Sequence, residues 1–202
     1  DINAFLHLLK KQFPRVNGLE DPLMLVEKSA YMIKHGTFVR IMNSNQNHWV
    51  CVSAQAGCGD EDVCIYDSLR RAKVDEFLGH TLLKILPPGR LQKGYITVKV
   101  MRTQKQVANL CGHYALAFAT ALCFNLDPQA MMFEEKLMPS HYVRCMREQE
   151  ITLFPFKKRT VRNVKHSRLR FELPTREEDE RFEKMRREKN MAILYSSKRK
   201  LF

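Results

Sequence analysis

Several patterns that define common protein classes are missing from this sequence of 202 residues. No stretch approaches the roughly 20 apolar residues that a membrane-spanning helix needs. The first residues, DINAFLHLLKKQFP, lack the basic start, apolar middle and small-residue cleavage site of a signal peptide. We therefore expect a soluble protein with no membrane partner, located inside the cell in the nucleus or the cytoplasm.

Glycine and cysteine are scattered along the chain, and neither forms the motif of a nucleotide or zinc site. The 8 glycines include no G-x-x-x-x-G-K or G-x-G-x-x-G loop, which argues against a nucleotide enzyme. The 6 cysteines include no C-x2-C pair, so we expect no metal and no cofactor. Because their spacing also differs from that of a disulfide framework, we expect free thiols in a reducing compartment.

The positive charge is concentrated at one end of the chain. The whole sequence carries a net charge of +12, and residues 157–202 contribute +9 of it, from 16 Lys and Arg against 7 Asp and Glu. Apolar residues follow no clear period in this segment. We therefore predict a folded body, residues 1–156, and a basic tail, residues 157–202, that is helical or disordered. Such a tail is suited to contacting nucleic acid or an acidic partner.

The order of the elements predicts an α+β fold. Apolar residues at helical spacing in residues 2–13 predict a first helix, which ends at Pro14. Three runs rich in β-branched and aromatic residues follow, and they predict neighbouring antiparallel strands: TFVRIMNS, NHWVCVSA and VCIYDSL. A polar helix over residues 69–86 and a strand, GYITVKVM, come next. We expect a mostly antiparallel central sheet with helices on either side.

Cys111 begins the apolar helical run CGHYALAFATALC. A free cysteine is often a small buried hydrophobe, and we interpret the other cysteines within apolar runs in that way. A thiol at a helix N-terminus differs, because the unsatisfied N–H groups and the helix dipole favour its thiolate. Cys111 is therefore our candidate nucleophile, and Gly112 leaves room for a substrate backbone beside it.

Further side chains supply the groups that a thiol nucleophile requires. His48 begins one central strand and Asp67 ends the next, so a hairpin brings them to one edge of the sheet as base and orienting acid. Gln104 and Gln106 lie in the connector before the cysteine, where a side-chain amide can reach an oxyanion. Each residue alone has a structural explanation in core packing or turn formation. Their combination is what indicates catalysis.

The same residues resemble the motifs of a known family. The order His48-Trp49, Tyr66-Asp67-Ser68-Leu69, Gln106 and Cys111-Gly112 is similar to that of the ubiquitin-like-protein proteases, which include SUMO-processing and adenoviral cysteine proteases. Divergent members carried by mobile elements in animal genomes are the most similar. The resemblance covers residues 1–155, and the opening Asp-Ile-Asn matches the end of a longer family segment, which implies that the chain is a fragment.

This resemblance implies a papain-like fold, with the nucleophile at the N-terminus of a buried helix. It assigns His48, Asp67, Gln106 and Cys111 as base, acid, oxyanion donor and nucleophile. The sequence departs from the family at Leu110, which replaces an aspartate, and in a connector that is one residue shorter. Gln104 is therefore an alternative to Gln106.

The function expected from these residues is that of a cysteine peptidase or isopeptidase acting on a ubiquitin-like modifier or its conjugates. A Cys–His–Asp mechanism needs no cofactor. The alternative is a catalytically inactive module with the same fold, whose basic tail contacts nucleic acid or a partner protein. Acyl transfer by the same residues is a third possibility.

Overall fold

The structure is a computed structural model that describes residues 1–20, 37–44, 48–54, 58, 62–70, 75–86, 91–161 and 166–198. Residues 71–74 of the predicted polar helix, the first residue of the predicted strand NHWVCVSA and residues 162–165 and 199–202 of the tail lie outside these ranges. Among the described helices, none is both long and apolar enough to cross a membrane.

Five α-helices and seven β-strands make up the described regular structure, apart from two short 3₁₀ turns. The helices are α1 (Ile2–Gln12), α2 (Glu76–Ile85), α3 (Cys111–Cys123), α4 (Met138–Glu148) and α5 (Arg176–Lys198). The strands are β1 (Val39–Asn43), β2 (Trp49–Ser53), β3 (Val63–Tyr66), β4 (Tyr95–Met101), β5 (Met131–Phe133), β6 (Phe156–Lys158) and β7 (Ser167–Glu172). The predicted α+β class is confirmed.

A mostly antiparallel sheet of five strands, in the order β1-β2-β3-β4-β7, forms the centre of the fold. The first three strands are antiparallel neighbours, as predicted, with Ile41 opposite Cys51 and Cys51 opposite Tyr66. Strand β4 runs parallel to β3, because α2 lies between them in the chain and returns it to the same end of the sheet. Strands β5 and β6 form a separate antiparallel pair.

Helices cover both faces of this sheet. Cys51 and Tyr66 point to the face covered by α1, α3 and α4, whereas Val52 and Ile65 point to the face covered by α2. Because alternate strand residues face opposite sides, the first three strands are buried on both. Every residue of α3 from Tyr114 to Cys123 is buried, so this helix is held mainly by apolar packing.

Helix α2 begins later than the sequence predicts. Its first residue is Glu76, and the Asp75 side chain caps it by accepting a hydrogen bond from the Leu78 amide at 2.9 Å. The predicted start at Leu69 instead lies in a turn, because the Asp67 carboxylate accepts the Leu69 amide at 2.8 Å. An aspartate that bonds the backbone two residues ahead favours a turn over a helix.

The tail contains more structure than the predicted helix or disorder. Helix α5 is present, but strand β7 also joins the edge of the five-stranded sheet beside β4. The Phe171 ring lies on α2 where a Cβ at Gly79 would clash with it. His80 of α2 stacks on Phe182 of α5 at 4.4 Å and contacts the Asp179 carboxylate at 2.8 Å. Apolar and ionic contacts thus connect the tail to the body.

The cysteines are not all free. Cys58 and Cys64 are joined as a disulfide, with their Cα atoms 5.4 Å apart, so the expectation of free thiols is wrong for this pair. The remaining four cysteines are free: Cys51, Cys111, Cys123 and Cys145.

Candidate active site

His48 and Asp67 meet at one end of the sheet, as the hairpin between β2 and β3 requires. His48 immediately precedes β2, and Asp67 immediately follows β3. The His48 Nε2 atom lies 2.7 Å from the Asp67 Oδ1 atom, and both residues are buried, with 4% and 3% exposure. In such an environment water competes little for the hydrogen bond, so the carboxylate can hold the imidazole in one orientation.

The Asp67 carboxylate is itself fixed by its neighbours. Its Oδ1 atom also accepts the Leu69 amide, and its backbone carbonyl accepts the Thr103 hydroxyl at 3.1 Å and the Arg70 amide at 3.1 Å. These bonds connect the turn after β3 to the segment that follows β4. The orienting acid therefore lies on a rigid part of the backbone.

Cys111 lies at the first position of α3, as predicted, and it is the one half-exposed thiol among the four free cysteines. No side chain caps this helix at Leu110, so the amides of its first turn remain directed at the site. The His48 side chain and the backbone of Trp49 and Gly112 are close enough to the thiol to lower its pKa through hydrogen bonds. The three candidate residues are thus brought together.

The protonation of Cys111 differs from that of the buried thiols. Burial by itself raises its pKa, but the hydrogen bond with His48, the backbone hydrogen bonds of Trp49 and Gly112 and the charge of His48 outweigh burial, so the pKa is lowered. Burial raises the pKa of Cys51, and it raises that of Cys123 to about 12. A lowered thiol pKa is what a nucleophilic cysteine requires.

The contacts of His48 define its tautomer. A carboxylate accepts hydrogen bonds, so the proton of a neutral His48 ring is on Nε2, which faces Asp67. The lone pair is then on Nδ1, the ring nitrogen left for the thiol. This arrangement can accept a proton from Cys111 and hold the resulting imidazolium beside a carboxylate.

The two candidate glutamines have different partners. Gln104 donates from Nε2 to the Phe133 carbonyl at 3.1 Å and accepts the Phe133 amide at Oε1, so both ends of its amide hold strand β5. Gln106 lies beside the turn after Asp67. Its side-chain Oε1 atom accepts the Ser68 hydroxyl at 2.6 Å, and its backbone N–H donates to the Ser68 carbonyl at 2.9 Å. The Nε2 donor of Gln106 therefore faces away from Ser68.

Two residues that sequence reasoning gave no role help to shape the site. Ser68 orients the Gln106 amide, and it was visible only as a letter within a motif. Glu135 accepts the Val107 amide at 2.9 Å and the Tyr114 hydroxyl at 2.8 Å, which fastens the connector before Cys111 to α3. No sequence signal marked Glu135, since it lies far along the chain from both partners.

Apolar groups flank the nucleophile on one side. A Cβ at Gly112 would lie 3.4 Å from the Ile2 Cδ1 atom and 3.7 Å from the Trp49 Cδ1 atom, which are ordinary contact distances. Glycine therefore leaves a methyl-sized space between these side chains. His113 is half-buried, and burial lowers its pKa, which favours the neutral imidazole.

Within the described residues, no three potential ligands among His, Cys, Asp and Glu side chains are grouped as a metal site would require. The fold and site together define an α+β protein with a Cys–His–Asp arrangement at one end of its central sheet. No family model matches the chain, and neither a curated protein nor a solved structure is significantly similar to it.

Proposed function

We propose that this chain is a cysteine peptidase or isopeptidase with a papain-like fold. The observation that supports it is the position of the His48 ring, which contacts Asp67 through Nε2 and lies close enough to the Cys111 thiol to lower its pKa. Triads of this kind are recognised by geometry and roles rather than by chain order. The lowered pKa and the partial exposure of the Cys111 thiol also favour this residue as the nucleophile.

The first half of the reaction forms a thioester. His48 Nδ1 accepts the Cys111 proton, and the sulfur attacks the carbonyl carbon of the scissile bond to give a tetrahedral oxyanion. The imidazolium then gives its proton to the leaving amine as the carbon–nitrogen bond breaks. Asp67 stabilises the imidazolium without taking its proton.

The oxyanion needs donors that are already in place before charge develops. The Cys111 amide at the start of α3 is one, and the Gln106 Nε2 group is the other. Ser68 holds the Gln106 carbonyl oxygen, so the amide presents its donor end. Removing one such donor typically costs about 100- to 1000-fold in turnover. We prefer Gln106 to Gln104 for this role, because strand β5 engages both ends of the Gln104 amide.

The second half of the reaction hydrolyses the thioester. His48, neutral again after the amine leaves, accepts a proton from water, and the hydroxide attacks the acyl carbon. Collapse of the second tetrahedral intermediate expels the Cys111 thiolate and releases the carboxylic acid. No group beyond the residues named is required.

The substrate class, a ubiquitin-like modifier or its conjugates, comes from the resemblance of the His48-Trp49, Asp67, Gln106 and Cys111-Gly112 motifs. Trp49 and Ile2 beside Gly112 support it, because a narrow apolar approach favours a chain end built from small residues such as glycine. The same resemblance supports an intracellular location, in the nucleus or cytoplasm.

A ubiquitin-like protein with a reactive C-terminal electrophile tests this function. We expect the protein to form a covalent adduct, and we expect Cys111→Ala to abolish it because the attacking sulfur is gone. Cys145→Ala is the matched control, since it removes a buried thiol and leaves the adduct unchanged. Labelling that survives Cys111→Ala, or no labelling by a panel of such modifiers, would contradict the proposal.

A further inference from the structure

The edge of the sheet formed by β4 and β7 carries a second feature, which the peptidase chemistry does not use. On the face turned away from α2, Lys99 lies opposite Arg168 and Thr97 lies opposite Arg170. Both arginines are exposed. The Arg170 guanidinium stacks on the Tyr95 ring at 3.5 Å, which places an aromatic group on the same face.

Further basic groups continue this face toward the turn after β3. Arg70 donates to the Thr103 carbonyl at 2.6 Å, and Arg159 donates to the Arg102 carbonyl at 3.2 Å. The Arg102 amide in turn contacts His166, which immediately precedes β7. We define the basic sheet surface by these residues and those of the strands: Arg70, Tyr95, Lys99, Arg102, Arg159, His166, Arg168 and Arg170.

Like charges on this surface repel one another. Lys99 directly opposes Arg168 in the register, a pairing that destabilises an antiparallel ladder. Burial lowers the pKa of His166, and the positive charge of Lys99 lowers it further. Burial, followed by the charges of Arg159 and Arg102, lowers the pKa of Arg70. Such local conflict in a folded protein is expected where a ligand of opposite charge binds.

Acidic residues near the surface offset only part of this charge. Asp62 accepts the Thr97 amide at 2.8 Å, and Glu172 pairs with Arg170 at 2.6 Å. Asp127 acts on His166 from a neighbouring turn. Among the described residues, six Arg and Lys side chains of the surface stand against these three carboxylates, so the described groups carry a net positive charge.

We propose that the basic sheet surface binds single-stranded nucleic acid, with Arg168 and Arg170 contacting phosphates and the Tyr95–Arg170 stack contacting a base. The two arginines are ~6.6 Å apart along the strand, so both can contact the backbone of one nucleic-acid strand. Aromatic side chains beside a positive face are the usual platform for single strands.

A single strand fits this surface better than a duplex does. The major groove admits an α-helix or a two-stranded ribbon, whereas β4 and β7 are part of a five-stranded sheet. An unpaired strand can lie across a sheet and turn its bases toward Tyr95. The binding uses no residue of the Cys111 site, so it does not depend on the proposed peptidase activity.

Fluorescence anisotropy with a labelled oligothymidylate tests the proposal on the full chain. We expect the double variant Arg168→Gln, Arg170→Gln to weaken binding about tenfold or more, and to reduce the slope of log affinity against log salt by about 1.4, at ~0.7 per phosphate contact. The matched control, Arg147→Gln with Arg176→Gln, makes the same change in charge on α4 and α5. It should leave affinity and slope unchanged.

Two further measurements separate this site from general attraction between charges. Tyr95→Leu should weaken binding about tenfold by loss of stacking, while the salt slope is unaffected. The oligonucleotide should also raise the melting temperature of the wild type more than that of the double variant. Cys111→Ala should bind as the wild type does.

The outcomes that would overturn the proposal are distinct. Equal loss of affinity in the control and the test variants would show that net charge alone attracts the oligonucleotide. Equal binding of polyglutamate would identify an acidic protein as the ligand, and tighter binding of a duplex of the same length would exclude the single strand. None of these outcomes would bear on the proposed Cys111 chemistry.

Discussion

Two pairs of cysteine and histidine lie close together among the described residues, and only one of them has the arrangement that the proposed chemistry needs. Cys111 and His48 come from different elements and meet at a half-exposed helix start. Cys145 and His141 lie one turn apart on α4, where the sulfur is 3.3 Å from the His141 Nε2 atom and both residues are buried. Proximity of thiol and imidazole is common to both pairs, so it cannot be what makes a nucleophile.

The hydrogen bonds of the two histidines differ in direction. His141 Nδ1 accepts from the Arg144 guanidinium at 3.0 Å, and its Nε2 atom lies 3.1 Å from the Thr152 carbonyl, an acceptor. The proton is therefore on Nε2, and no lone pair of the ring remains to take a proton from Cys145. In the pair of His48, a carboxylate fixes the proton on the far side and leaves the lone pair for the thiol.

The position of the sulfur on its helix also differs. Cys111 is the first residue of α3, where the helix dipole stabilises a thiolate. Cys145 is close to the end of α4, which terminates at Glu148, and there the dipole acts against a negative charge. Buried, near a helix C-terminus and without a base, Cys145 has the properties of a packing residue.

The largest expected effect concerns the carboxylate of Asp67. Of the two histidines, only His48 is hydrogen-bonded to a carboxylate. We predict that Asp67→Asn lowers kcat by about 10⁴, as loss of the orienting carboxylate does in comparable triads. An amide there can donate to Nε2, which favours the wrong tautomer of His48. Turnover of a fluorogenic peptide from the C-terminus of a ubiquitin-like modifier measures it.

Asp62→Asn is the control for this prediction, because that carboxylate lies near Thr97 and away from the site. It should leave kcat within a factor of about two. An Asp67→Asn enzyme that retains most of its turnover while remaining folded would show that His48 needs no carboxylate, and the contrast with His141 would lose its main support.

The second difference concerns the ionisation of the two sulfurs. A thiolate forms above the pKa, so the lowered pKa of Cys111 moves its reactivity to lower pH than the ~8.5 of a free thiol. We predict that iodoacetamide alkylates Cys111 at pH 6.5 at least about tenfold faster than it alkylates Cys145, which is also shielded by burial. Mass spectrometry of the labelled peptides gives both rates in one experiment.

His48→Ala sharpens this prediction. It removes the hydrogen bond and the charge that lower the pKa, while burial, which raises the pKa, remains. The pH profile of Cys111 alkylation should therefore move upward, and the rate at pH 6.5 should fall. An unchanged profile in this variant would mean that the helix and backbone amides alone set the pKa.

Sequence reasoning predicted those parts of the fold that depend on local pattern. The period of apolar residues gave α1 and α3, and β-branched runs gave the first three strands and β4. The site was predicted from a hairpin, since the residue before β2 and the residue after β3 must meet at the same end of the sheet. The roles of His48, Asp67 and Cys111 remain predictions, although the structure brings the three side chains together.

The features that were missed all depend on contacts between distant parts of the chain. Strand β7 is stabilised by β4 and by the fit of Phe171 on Gly79, and neither is visible in a basic run with weak alternation. The disulfide between Cys58 and Cys64 depends on the approach of these two residues in the fold, which their spacing in the sequence does not reveal. Gln104 resembles an oxyanion donor in sequence, and only its bonds to β5 reveal a structural role.

The smallest expected effect on activity belongs to the second pair itself. His141→Ala should lower the free energy of unfolding by about 2–4 kcal/mol, because it removes a buried ring packed against Phe154 together with its hydrogen bond to the Thr152 carbonyl. His141→Gln keeps a donor and should cost less. Both variants should react with the C-terminal electrophile at the wild-type rate, and urea unfolding with labelling kinetics measures the two quantities separately. A folded variant that labels slowly would instead connect α4 to the Cys111 site, and the two pairs could no longer be treated as independent.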